Sequence, residues 1–139
     1  CTMIINKGKD DGVEVNTPVA YGKSLVGSVI STTPSTAVVR LLIDPRTVVS
    51  GVIQDSRQLC LVKSQGANLP LQLIMERTTA SPRPHSLVLS SGIDTSIYPK
   101  GLVIGKIITV QKNERGELTA EVQPEVDFNR IEEVLVILR

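Results

Sequence analysis

Apolar and polar residues alternate along most of this chain, and a repeat near 3.6 is almost absent. Alternation of period two sends successive side chains to opposite faces of a pleated strand, so the pattern predicts a β protein. Residues 2–5, 18–21, 25–32, 37–43, 48–53, 59–63, 69–75, 87–89, 102–111, 118–126 and 133–138 each read as a short strand. Turn chemistry separates them: Asn6-Lys7-Gly8, Asp11-Gly12, Tyr21-Gly22, Asp44-Pro45, Gln65-Gly66, Ser91-Gly92 and Arg115-Gly116 accept a positive φ or fix it for a reversal. Only residues 127–132 read as helical, as one turn with Asp127 as its cap. Short strands at this spacing predict an all-β sandwich or small barrels.

One stretch breaks the pattern. Residues 79–84 carry Pro82 and Pro84, which cannot donate to a strand ladder, so an extended connector is expected there. It divides the chain into residues 1–78 and 85–139, with 1–16 free to pack on either unit. On each side stands a similar phrase: Leu25-Val26-Gly27-Ser28-Val29-Ile30 and Val103-Ile104-Gly105-Lys106-Ile107-Ile108. A Gly inside a strand permits a sharp bend or a close backbone approach, as closing a small barrel requires. The phrases suggest two related units; chance recurrence in a β-rich sequence is the competing reading.

Composition narrows the partners. Fifteen Lys and Arg stand against fourteen Asp and Glu among 139 residues, and the only aromatics are Tyr21, Tyr98 and Phe128. Neither a basic surface nor a set of base-stacking rings can be built from these, so nucleic acid is excluded as a partner. The core must be filled by Val, Ile and Leu, which suit a half-buried pleated surface. No stretch approaches the roughly 18 apolar residues of a membrane span. The chain opens on Cys1 in an apolar strand, so a segment upstream is expected. Cys1 and Cys60 allow one disulfide, but Cys60 sits in Leu59-Cys60-Leu61-Val62 and reads as a buried thiol.

Catalytic chemistry is nearly missing. His85 is the sole histidine, in a proline-flanked connector. Ser90 and Ser91 precede Gly92, but no Gly-x-Ser-x-Gly phrase frames either serine. One His and two distant cysteines do not make a structural zinc set, and Asp10-Asp11-Gly12 lacks the later ligands of a calcium loop. Glu132-Glu133 reads as a solvated corner, because adjacent residues face apart. No metal or organic cofactor is expected.

The positive signals lie elsewhere. Asp44-Pro45-Arg46 closes the run Val38-Val39-Arg40-Leu41-Leu42-Ile43, and Tyr98-Pro99-Lys100-Gly101 leads into the strand that holds Gly105. Phe128 and Glu132-Glu133 precede Val134-Leu135-Val136-Ile137. With Leu25-Val26-Gly27, and Ile5-Asn6-Lys7-Gly8 ahead of it, these phrases in this order resemble the extracytoplasmic β-domain of MreC, a bacterial rod-shape-determining family. Two departures fall in turns: Lys23-Ser24 stands where members often have Asp-Gly, and His85-Ser86 where a Gly-Asp pair is usual.

The resemblance implies two small six-stranded β-barrels outside the cytoplasmic membrane, preceded by a membrane-spanning helix and a coiled coil. It implies a non-catalytic scaffold of the cell-wall elongation machinery. Its partners would be a class B penicillin-binding transpeptidase, the membrane protein MreD, the actin-like MreB across the membrane, and further copies of the same chain as dimer or filament. Gly27, Gly92, Gly101, Gly105, Asp44, Pro45 and Pro99 then shape bends and turns. Phe128 plugs a barrel end or the junction between barrels. One barrel is expected to offer an aliphatic patch to the transpeptidase, and Tyr98 is the candidate exposed anchor, with covering a barrel mouth as its other reading. Two alternatives come from other classes: a two-barrel serine-protease-like hydrolase, which needs His85 beside a serine and an acid, and an extracytoplasmic small-ligand-binding module, which needs a deep pocket.

Overall fold

The structure, a computed structural model, describes residues 1–75, 82–93, 97–112, 114–131 and, for the backbone, 135–136. Strands form wherever alternation predicts them: β1 (Thr2–Ile5), β2 (Pro18–Tyr21), β3 (Ser24–Thr32), β4 (Ala37–Leu41), β5 (Val48–Ile53), β6 (Leu59–Lys63), β7 (Leu71–Met75), β8 (Leu87–Ser90), β9 (Val103–Lys112), β10 (Leu118–Pro124) and β11 (Leu135–Val136). A 3-10 turn, Lys9–Asp11, is the only helical element among the described residues. The helical turn expected from Asp127 is not helical in its described part: residues 128–129 form a hydrogen-bonded turn, with Asp127 Oδ1 accepting from the Asn129 amide at 3.0 Å and its carbonyl accepting from the Arg130 amide at 3.1 Å, so the Asp127 side chain caps a turn that does not continue as a helix. Its far end at Glu132, the Glu132-Glu133 pair and residues 79–81 of the connector lie outside the described residues.

Pairing closes one barrel. The strand order β9-β10-β7-β6-β5-β8 returns to β9, so every backbone ladder in this ring has two neighbours and no edge is left. Among the described residues the other five strands run in the order β1-β4-β3-β2-β11. The expectation of two six-stranded barrels is thus met only in part: one six-stranded barrel closes, and the other strands form a five-stranded unit among the described residues. β3 joins β9 in parallel through Ser24 and Val103, and the Val103 amide donates to the Lys23 carbonyl at 2.7 Å.

The sheet does not divide at residues 79–84. β7, before that stretch, and β8, after it, belong to the same ring, and β5 pairs with β8 across it. The change of unit falls instead between β4 and β5, at Asp44-Pro45-Arg46. Pro82 is itself buried. Two nearby prolines forbid ladder donation locally, but they carry no information on which strands pair over long range. Residues 1–16 join the five-stranded unit through β1 and β4, and Ile5 and Val13 share a core with Val126 from the chain after β10.

Each unit fills its own interior. Leu71, Leu73, Met75, Ile104 and Ile107 are fully buried and pack together inside the barrel. Ala20, Leu25 and Leu42 from the neighbouring unit complete that cluster. Phe128 packs against both cores and so sits at the junction.

Candidate functional site

At the corner between the units, Asp44 is only 1% exposed, and its carboxylate is fully engaged. Arg46 donates its amide to Oδ1 at 2.8 Å, Nε to the same oxygen at 3.0 Å and Nη2 to Oδ2 at 3.0 Å. The Arg46 guanidinium therefore holds the Asp44 carboxyl well below the usual carboxylate range, although burial opposes the shift. The amino group of Cys1 also donates to Oδ2 at 2.9 Å. In any chain extended before Cys1 that nitrogen is an amide, so Arg46 is the partner that matters. Pro45 lies between them with φ fixed for the turn, and Thr47 Oγ1 donates to the Leu41 carbonyl at 3.0 Å, tying β5 back to β4.

Gly27 and Gly105 stand inside β3 and β9, where a neighbouring strand crosses close. A Cβ on Gly27 would overlap the Arg40 carbonyl oxygen, and one on Gly105 would overlap that of Gln123. Both glycines are therefore required by space, with ordinary negative φ. Gly92 and Gly101, by contrast, turn the chain with φ of 72° and 95°.

The loop after β8 is held by serines. Ser90 Oγ donates to the Pro99 carbonyl at 2.6 Å and accepts from the Leu102 amide at 2.9 Å, while Ser91 Oγ lies 2.8 Å from Ser50 Oγ and accepts from the Ile93 amide at 3.2 Å. These buried hydroxyls fasten a turn, not a nucleophile. His85 lies before the start of β8, whereas Ser90 and Ser91 lie at and just past its end, so the structure does not bring together the set that a hydrolase needs. Ser86 Oγ does donate to Asp55 Oδ2, at 2.8 Å, but Ser86 is buried. Among the described residues no cluster of His, Cys, Asp or Glu could hold a metal ion. Cys60 and Cys1 are free thiols, and burial pushes the Cys60 thiol up to about 12.

Tyr98, the expected exposed anchor, is 6% exposed and packs in the barrel core, so it offers no exposed aromatic to a partner. The exposed aromatic is Tyr21, at 55%, on the β2–β3 turn. It lines a groove of about 500 Å³ with Glu125, Asp127, Arg130 and Ile131. A second groove, of about 590 Å³, runs along the other side of residues 123–129, past Ile43, Leu69 and Phe128. More of the exposed apolar surface lies on the barrel wall, where Val48, Leu59 and Leu61 are 48%, 49% and 46% exposed. Within the apolar run 59–62, Cys60 is buried as expected, and Leu59 and Leu61 turn outward. The available signal is the run itself: in an antiparallel barrel one face of each strand meets water, so apolar residues at both parities imply a second burial.

These features define a small β-barrel protein whose special residues serve backbone shape and whose surface carries its apolar excess. Residues 1–138 match the family described as rod shape-determining protein MreC, barrel core, and the chain belongs to that family. It is similar to a solved MreC structure with a TM-score of 0.91 and 26% identity, covering 99% of this chain and 78% of that one. MreC from Pseudomonas aeruginosa matches with a TM-score of 0.85 and 26% identity, over 99% and 88% of the two chains. A complex between Penicillin-Binding Protein (PBP2) and MreC from Helicobacter pylori shares the fold, with a TM-score of 0.68 and 17% identity over 89% and 79%. No curated protein matches the sequence. Among the described residues no helix is long and apolar enough to cross a membrane.

Proposed function

We propose that this chain is a non-catalytic scaffold of the bacterial cell-wall elongation machinery, binding a class B penicillin-binding transpeptidase, associating with MreD and with copies of itself, and so maintaining rod shape. It acts outside the cytoplasmic membrane, tethered there by an N-terminal helix upstream of these residues. The observation that carries the reading is a closed, filled barrel with large aliphatic side chains turned to solvent: such a surface suits a protein partner, not a substrate. Family membership and the solved penicillin-binding protein complex of a relative support it. The serine and histidine placement supports a structural role for the polar residues.

The test is capture of the transpeptidase from solubilised membranes by the full-length protein and by a version lacking residues 1–139. Enrichment with the first and loss with the second is expected. Equal capture by both ends the proposal.

A further inference from the structure

We infer that the outer wall of the barrel over β7, β10 and β9 is a binding site for a neutral saccharide that bears an acetamido group. The inference goes beyond the scaffold reading and needs no protein partner. A groove of about 200 Å³ is lined there by Gln65, Gln72, Thr109, Gln111, Thr119 and Glu121. Three of the chain's six glutamines thus meet at one place, and Glu121 is the one charged side chain among those that line it. A wall that met only water would draw more on Lys, Arg, Asp and Glu. Cross-strand partners project to the same side of a sheet, and the registers set these side chains in two rows: Gln72, Glu121 and Thr109 in one, Thr119 and Gln111 in the other.

Unused hydrogen-bonding capacity sets the chemistry. Thr109 Oγ1 donates to Glu121 Oε1 at 3.0 Å, and Gln65 Nε2 donates to the Pro70 carbonyl at 2.8 Å. The second Glu121 oxygen and the side-chain amides of Gln72 and Gln111 make no hydrogen bond among the described residues, although Gln72 and Glu121 are only partly exposed. A planar amide or carboxylate presents two polar atoms side by side and so holds two adjacent ring hydroxyls at once. An amide also pairs with an acetamido group both ways, donating to its carbonyl and accepting from its N–H. An apolar contact stands beside these groups. The register shift between Glu121 and Val122 places one extra residue, Ile108, in β9, and this bulge leaves it 41% exposed next to Thr109. A sugar ring needs both kinds of surface, because its rim carries hydroxyls and its faces carry C–H groups. Small β-barrels of the OB type likewise take oligosaccharides on a strand face. An extended peptide is taken at a free strand edge, and every strand of this ring already has two neighbours.

The experiment titrates the isotope-labelled chain with triacetylchitotriose and, separately, with maltotriose, and follows the side-chain amide signals of Gln72 and Gln111 by NMR. Saturable shifts of both signals with triacetylchitotriose are expected. Gln72→Leu and Gln111→Leu should each weaken that binding at least about fivefold, the scale of one lost hydrogen bond, and Tyr21→Ala should stay within about twofold. Maltotriose, which has no acetamido group, should bind at least about fivefold more weakly than triacetylchitotriose. Both glutamines point outward, so their variants should melt with the wild type; Gln111→Thr makes the same comparison if a Leu variant does not fold. Absence of a saturable shift, or equal binding of the two sugars, overturns the inference and leaves the scaffold reading standing. Wild-type-like binding by the folded Gln72 and Gln111 variants overturns it as well, because the sugar then sits elsewhere. A glycine-serine peptide that shifts the same amides more strongly than triacetylchitotriose assigns the groove to a peptide and also overturns it.

Discussion

Replacing Gly105 by Ala separates two roles that a glycine can play in a strand. Its φ is ordinary, so the alanine backbone is not strained. The obstacle is space. The new methyl would overlap the Gln123 carbonyl oxygen and lie 2.8 Å from its carbon and 2.9 Å from Val122 Cγ1, where ordinary contact begins at 3.4 Å. Retreat of β10 is blocked on its far side, because Val122 is in register with Leu71 of β7. Overpacking of this kind costs about 1–3 kcal/mol. Spreading β9 from β10 also strains the ladder, at about 1 kcal/mol for each hydrogen bond lost. With one or two ladder bonds lost, a loss of about 2–5 kcal/mol, or on the order of 10 °C in Tm for a domain of this size, is expected.

Gly12→Ala is the control. Gly12 has φ of 84°, and a methyl added there would meet nothing within 4 Å, so only the left-handed backbone resists, at about 1 kcal/mol. Chemical and thermal denaturation followed by circular dichroism should rank Gly105→Ala and Gly27→Ala well below Gly12→Ala. Equal losses for Gly105→Ala and Gly12→Ala would refute the close-approach argument.

Asp44→Asn should lower stability at pH 7 by roughly 2 kcal/mol, the scale of charge-assisted bonds lost at a buried carboxylate. The folded carboxyl is held below its unfolded value, so its contribution is present above about pH 4 and disappears as pH falls through and below that point. Denaturation from pH 7 to pH 2 should show a smaller fall for the Asn variant. Tyr98→Ala should cost about 3–5 kcal/mol as a buried aromatic, whereas Tyr21→Ala should stay within about 0.5 kcal/mol; comparable losses in urea titrations would reverse their assignment. His85→Gly should raise stability by about 0.5–1 kcal/mol, because His85 holds φ of 71° where glycine is unstrained. A lower melting temperature for that variant would show that the imidazole makes a contact worth more than the strain.

Local structure was legible because alternation is a local property. Strands at 2–5, 18–21, 48–53 and 59–63 carry the same bounds in sequence and structure. Pairing was not legible. Nothing in residues 51–53 marks residues 88–90 as their ladder partners, so closure across the proline stretch could not be read from either segment. Tyr98 shows the same limit. Beside Pro99 in a connector it has the sequence context of a surface residue, and only ring closure brings the loop over the core. The exposed leucines were hidden for a different reason: Leu59, Cys60, Leu61 and Val62 are apolar at both parities, and parity cannot say which pair faces in. The structure sets Cys60 and Val62 inward and the leucines outward.

The two Gly-centred phrases bear on how the units are built. They occupy β3 and β9, the strands that meet in parallel where Ser24 pairs with Val103. Each glycine lies where a carbonyl of the next strand comes too close for a methyl, from Arg40 in one case and Gln123 in the other. Each strand is also flanked by a register shift, between Val29 and Ser31 against β4 and between Glu121 and Val122 against β10. Chance recurrence of a phrase would match letters without matching the crossing strand, its carbonyl and the irregularity beside it. The agreement at all three favours two related units built around one bend. In both, the glycine is held by the backbone that crosses it, so the same bend recurs with different side chains around it.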